Sequence, residues 1–326
     1  MITWLHIRQD ITPQDEAALI CFLLLAAVSL TEAVGLASYA TFSEYHNLDR
    51  EVSILKKVCS KFNILLLIMF MTCLIASICA FYSVRLVHNN LMVKIPMSIQ
   101  TFCAATIELS YMQYSWIRSK KIVEHFHSET FVRVITFTVK VAPLLYYGQV
   151  VLFVLAAATG ISVMVPINRI WTAVSGVWTI TFDIFPLSVF CKFLFRQESD
   201  IQVSLSLNET ASTNSNQLPS NCVQNLEQNL AIMKKLKSFK TIARHGIWAC
   251  CFFFSAVVIF ALELLLHLDI WVNVFQAIVY ILLNFSGLCL LVMKIRLDIG
   301  RKHIVKVKQL TAGDCSTAVI AVDDCK

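Results

Sequence analysis

The chain has 326 residues, 57% hydrophobic and only 15% charged, with a mean hydropathy of +0.69. A soluble globule carries about a quarter charged residues, so this composition excludes one and requires an integral membrane protein. The formal net charge of +6 comes from short basic clusters between apolar runs, which set membrane orientation and do not form a nucleic-acid surface.

Apolar runs of spanning length fall at Ala17–Phe42, Phe62–Val84, Ile95–Ile117, Val134–Gly160, Ile170–Phe195, Ile247–Leu268 and Val272–Met293. They predict an all-α fold, a bundle of seven transmembrane helices over residues 17–293. The first run follows a short segment, 1–16, in which Asp10, Asp15 and Glu16 face a single Arg8. That is the wrong charge for a signal-peptide flank, so the run is read as a retained first span. It contains one acid, Glu32. The second run carries none.

The third run lies in Met97–Val123 (MSIQTFCAATIELSYMQYSWIRSKKIV). Gln100, Ala104, Glu108, Tyr111 and Ser115 recur at steps of four or three, which puts them on one helical face. The remaining positions are mainly apolar. Such a helix faces the interior of a bundle, and the other elements are organised around it. It ends in Trp116, Arg118, Lys120 and Lys121, an aromatic anchor followed by the basic residues of a cytoplasmic boundary.

The fourth run contains Lys140 and Pro143, and the fifth Trp171, Trp178, Asp183 and Pro186. Beyond it, 197–229 is rich in Ser, Thr, Asn and Gln and poor in aromatics, the composition of a disordered cytoplasmic loop. Asn208-Glu209-Thr210 within it is a glycosylation sequon, expected here to be a chance match on the cytoplasmic side. Leu230 to Arg244 is basic and helix-compatible. The sixth run ends in Glu263 and His267, and a tight turn leads to the seventh, which holds Gln276 and Asn284. The tail, 294–326, opens on alternating apolar and basic residues. It predicts an amphipathic helix on the inner leaflet, drawn to anionic membrane lipids.

Basic residues set the orientation. Arg50, Lys56, Lys57 and Lys61, then Arg118, Lys120, Lys121 and Arg133, then Lys234, Lys235, Lys237, Lys240 and Arg244 and the tail share one side. Only Arg8, Arg85, Lys94 and Arg169 fall on the other. The N-terminus is therefore predicted outside and the C-terminus cytoplasmic, with the plasma membrane as the expected location. Of the twelve cysteines, most lie in apolar runs or predicted cytoplasmic segments, where no disulfide is required.

Ionisable side chains within a membrane are costly and mark functional sites. Counting about 1.5 Å per residue from the cytoplasmic helix ends, Glu32, Glu108, Lys140 and Asn284 lie roughly 13–15 Å in, and Asp183 roughly 18 Å. These five predict one polar layer, with Glu108 and Lys140 as an ion pair. The pair either orients the third and fourth helices or belongs to an acidic layer that binds a cation or a proton; a third reading, with the spans shifted, puts some of these residues near the lipid interface. A second set, Gln100, Gln149, Trp178, Glu263 and Gln276, lies in the outer halves of the helices and has the composition of a small-ligand pocket. The sequence carries no His-Glu-x-x-His, Cys-x-x-Cys, phosphate loop or nucleophile elbow. No enzyme, metal site or cofactor is expected.

Seven helices, an outer N-terminus and a basic third cytoplasmic loop and tail resemble the G-protein-coupled receptors, over nearly the whole chain and in topology. Arg118, in Ser115-Trp116-Ile117-Arg118, stands where that family has Asp-Arg-Tyr, and Asn284-Phe285-Ser286-Gly287 where it has Asn-Pro-x-x-Tyr. Pro186 falls near the family's kink in the fifth helix. The sixth helix lacks Cys-Trp-x-Pro and the second lacks an acid. The resemblance implies a receptor for an extracellular small ligand that signals to a heterotrimeric G protein or another cytoplasmic transducer. Arg118, Lys120 and Lys121 would contribute to the coupling surface. The alternative is a transporter or ion-conducting protein that uses the buried acidic layer; a membrane assembly or scaffold role is the remaining reading.

Overall fold

The computed structural model describes residues 13–45, 60–86, 92–161, 163–212, 244–262 and 272–323. All of its regular structure is α-helical. The helices are α1 (Pro13–Tyr45), α2 (Lys61–Arg85), α3 (Lys94–Phe126), α4 (Glu129–Thr159), α5 (Met164–Ser212), α6 (Arg244–Leu262) and α7 (Val272–Asp323). Six of them are long and apolar enough to cross a bilayer: α1, α2, α4, α5, α6 and α7. The fold is that of a multi-pass membrane protein.

The exception is α3. It has 33 residues, more than enough for a span, but its apolar content falls below that of the others. Its burial supplies the reason. Ile107, Tyr111, Met112, Tyr114, Trp116, Ser119 and Val123 are all buried, so much of its surface meets other helices and needs no lipid-compatible side chains.

The described chain divides into two compact units. The first, up to Phe190 together with Trp248–Leu288, is the bundle. Ala18, Phe22 and Leu25 of α1 pack with Ala76, Ala80 and Val84 of α2, Cys103 of α3, and Ala277 and Tyr280 of α7. Fully buried alanines let the backbones approach closely, which favours helix association where water supplies no hydrophobic drive. Phe22 meets Tyr280 edge-on at 6.1 Å. The turn Asn284–Gly287 of α7 touches three helices. Ser29 Oγ of α1 donates to Asn284 Oδ1 (2.7 Å) and Ser286 Oγ donates to the Ala249 carbonyl of α6 (3.1 Å). Gly287 lies so close to Phe70 of α2 that a Cβ there would stand 2.6 Å from the ring.

Connections are short where they are described. His127 and Ser128 alone separate α3 from α4, so the two helices run antiparallel. Gly160, in the left-handed conformation at φ 66°, caps α4, the usual role of glycine after a last helical turn.

The second unit holds Cys191–Ile247 and the residues from Cys289 onward. Two expectations change here. Residues 197–212, expected to be disordered, continue α5 as helix to Ser212; the rest of the predicted loop lies outside the described residues. The tail helix exists but is not a separate element, because α7 runs unbroken from Val272 to Asp323. A single Gly300 does not stop a helix, and the pair Lys294 Nζ–Asp298 Oδ2 (2.9 Å), one turn apart, supports the helix just past the expected boundary.

Candidate functional site

The polar face of α3 defines the site. Gln100, Ala104 and Glu108 line one cavity of about 250 Å³, at the end of the bundle where α3, α5 and α7 begin and α4 and α6 end. Phe153 of α4 and Phe253 and Phe260 of α6 give it apolar walls. Gln149 of α4, Asn168 and Arg169 of α5, and Gln276 and Tyr280 of α7 supply the polar groups. A mainly apolar hollow with a few placed polar side chains is what holds and orients a small organic molecule.

Hydrogen bonds fix two sides of it. Gln100 Nε2 donates to Tyr280 Oη (2.7 Å) and lies 3.2 Å from Gln276 Oε1. Asn284 Nδ2 donates to the Tyr280 carbonyl (2.8 Å) and Asn284 accepts from Ser29, so Tyr280 and Asn284 of α7 link to α3 at one end and to α1 at the other. On the other side Ser175 Oγ donates to Gln149 Oε1 (3.0 Å), Tyr146 Oη and Thr179 Oγ1 share a bond of 2.7 Å, and Trp171 Nε1 donates to the Leu145 carbonyl (2.8 Å). These bonds tie α4 to α5. Two acceptors among the lining residues stay unused: Glu108 Oε2 and Asn168 Oδ1 are buried with no hydrogen-bond partner.

Deeper along α3, Phe253 lines the cavity and also stacks on Tyr111, ring centroids 3.9 Å apart and planes within 4°. Tyr111 Oη donates to Cys250 Sγ (3.2 Å). Asp183 of α5 is buried, with its carboxylate beside the Tyr111 hydroxyl and within electrostatic reach of Arg118. The Arg118 guanidinium rests over the Phe190 ring at 4.9 Å, a cation–π contact. Phe253, Tyr111 and Cys250 thus pack together deep to the cavity, with Asp183 and Arg118 in electrostatic reach beyond them.

Of the pocket residues expected from sequence, Gln100, Gln149 and Gln276 come together in the cavity. Trp178 does not. It is exposed, because Ser175 and Thr179, bonded to Gln149 and Tyr146, take the inward face of α5. Glu263 lies outside the described residues. Of the expected polar layer, Glu32, Asp183 and Asn284 are buried and Glu108 is half-buried in the cavity. Lys140 departs from it: the side chain is exposed and lines a different hollow with Lys120, His127 and Arg133. Among the described residues no ion pair joins it to Glu108. Lys140 instead extends from the outward face of α4 while Val139, Ala142 and Tyr146 turn in. Arg118 is half-buried against Phe190, and Lys120 pairs with Glu124 (3.7 Å); the Lys121 side chain is outside the described residues. Glu108→Gln and Lys140→Met are therefore expected to change thermal stability additively, within about 0.5 kcal/mol. A double mutant that recovers the loss of either single mutant would place the two side chains in contact.

Sequence reasoning missed Asn168 and Arg169, because the fifth apolar run starts at Ile170 while the helix starts at Met164. Tyr280 had a readable signal. It stands midway between Gln276 and Asn284 at steps of four, on one face of α7. Phe253 had none, being one phenylalanine in an apolar run. No family model matches the chain, and no curated protein matches it in sequence.

Proposed function

We propose that the protein is a seven-span membrane receptor with its N-terminus outside. It takes a small extracellular ligand into the cavity between α3, α4, α5, α6 and α7 and signals to a cytoplasmic transducer of the G-protein kind. The observation that carries this reading is the cavity itself: Gln100, Glu108, Gln149 and Gln276 converge on a hollow walled by Phe153, Phe253 and Phe260. It lies at the end that the basic residues assign to the outside. In this reading α3 is the third span, less apolar than its neighbours because it lies among them. The packed series Phe253, Tyr111, Cys250 gives ligand in the cavity a physical route towards Arg118 and the cytoplasmic loops.

The transporter reading keeps one specific support. Glu32 and Asp183 are both buried carboxylates, and Glu32 Oε2 has no hydrogen-bond partner, as a group that exchanges a proton or a cation would have none. Access separates the two readings. With cysteine placed in the cavity as Ala104→Cys or Thr172→Cys, a membrane-impermeant maleimide is expected to label intact cells above the wild-type background. Inverted vesicles are expected to show no such gain. Labelling from both sides would favour alternating access and a transporter, and labelling from the inside alone would reverse the orientation. In the same cells a tag before Met1 is expected to be reached from outside, a tag after Lys326 is not, and Asn208 is expected to carry no glycan.

A further inference from the structure

The second hollow lies at the opposite end of α3 and α4, where the short turn joins them. It measures about 530 Å³, and its charged lining is Lys120, Glu124, Glu129, Arg133 and Lys140, with His127 beside them. Both acids are already matched one turn along their own helices, Glu124 by Lys120 (3.7 Å) and Glu129 by Arg133 (2.6 Å). Lys140 has no ion-pair partner among the described residues.

The position of Lys140 is unusual for a lysine. It stands eleven residues beyond Glu129 on a helix long and apolar enough to span, hence about 16 Å up at about 1.5 Å per residue, and it faces out of the bundle. An exposed ammonium at that depth is costly in hydrocarbon unless it reaches an anion or the interface. Helical Cα–Cβ bonds tilt towards the N-terminus. The Lys140 stem therefore leans back along α4 towards Arg133, two turns below on the same face. Next to it the outer face of α4 is apolar, with Phe137, Val141 and Leu144 all exposed.

We infer that this hollow binds an anionic membrane lipid, the phosphate headgroup held by Lys140, Arg133 and Lys120 and an acyl chain lying along Phe137, Val141 and Leu144. A basic recess between helices at the cytoplasmic boundary suits such a headgroup. The adjoining apolar track suits a lipid and offers nothing to a soluble anion. Both salt bridges leave their lysine and arginine hydrogen-bond donors to spare, since a lysine has three and an arginine five. The bound phosphate would give Lys140 the counter-charge that Glu108 does not.

The purified full-length protein, in phosphatidylcholine bilayers doped with phosphatidylserine, is the material for the test. Native mass spectrometry counts the lipids that leave the bilayer with it. The wild type is expected to retain phosphatidylserine over phosphatidylcholine, and Lys140→Met to reduce that preference about fivefold, the effect of one basic residue at a charged surface. Lys140→Arg should keep the preference, and Arg85→Gln, at the other end of the bundle, should leave it unchanged. Because Lys140 faces outward, its replacement by Met removes no packing inside the bundle, and the melting temperature of each variant reports that it is folded. Equal retention of the two lipids by the wild type, or an unchanged preference in Lys140→Met, would overturn the inference. So would displacement of the retained lipid by inorganic phosphate, which would make the hollow a soluble-anion site.

Discussion

Glu108→Leu is expected to raise the thermal stability of the protein and, in the receptor proposed above, to weaken the response to ligand at least about tenfold. Glu108 Oε2 is buried with no hydrogen-bond partner, and a buried polar group left unpaired costs about 1–3 kcal/mol. Leucine removes that cost and fills part of a cavity already walled by Phe253 and Phe260. Proteins retain such unsatisfied groups where function needs them, and stability gained by removing them is commonly lost as activity. A hydrogen bond from ligand to a charged acceptor contributes about 1.5–3 kcal/mol, so the leucine variant should respond about ten- to a hundredfold more weakly, or not at all. Glu108→Gln, which keeps an acceptor but not the charge, should fall between. Melting temperature and dose–response measured on the three proteins decide the matter. A fall in stability for Glu108→Leu would mean that the carboxylate holds the bundle together, and an unchanged response would remove it from the ligand site.

Gly287→Val is expected to cost folded protein more than any other change at a glycine in the bundle. A Cβ at this position would stand 2.6 Å from Phe70 Cε1 and 3.2 Å from Met69 Cε. Phe70 is fully buried and Met69 nearly so, which leaves the ring little room to retreat. The same turn of α7 carries Asn284, bonded to Ser29, and Ser286, bonded to the Ala249 carbonyl. Pushing α7 off α2 would therefore strain its contacts with α1 and α6 as well. Overpacking of this kind costs about 1–3 kcal/mol, and several neighbours strained together put the valine variant at the upper end. Gly287→Ala should be milder, and Phe70→Leu should rescue it by withdrawing the ring atom that clashes. The signature is a positive coupling in the double-mutant cycle, because the two residues are in contact. Stability unchanged in Gly287→Val would show that α2 and α7 separate more freely than their packing implies.

By itself the sequence determined the membrane character, the position of most helices and the rotation of one of them. Hydropathy reports where each apolar span lies, because a span must be apolar over a fixed thickness. It reports rotation only where polar residues mark a face. The helix α3 carries such a stripe, and Gln100, Ala104 and Glu108 were assigned from spacing alone to the face that the structure turns into the cavity. Gln149 and Gln276 followed from depth. The tertiary structure decided the rest. Lys140 is a single charge on an otherwise apolar helix, and nothing in its spacing says whether it points at α3 or at lipid; the packing of Val132, Val139, Ala142 and Tyr146 turns it away. Trp178 was displaced from the site by two small hydroxyl residues whose bonds to α4 no linear pattern reveals. The helical continuations of α5 to Ser212 and of α7 to Asp323 were also hidden. A helix that has already started adds residues at little cost, so polar composition alone does not mark where it stops. A residue's depth follows from its place along the chain, but its neighbours follow from the angle at which each helix meets the next.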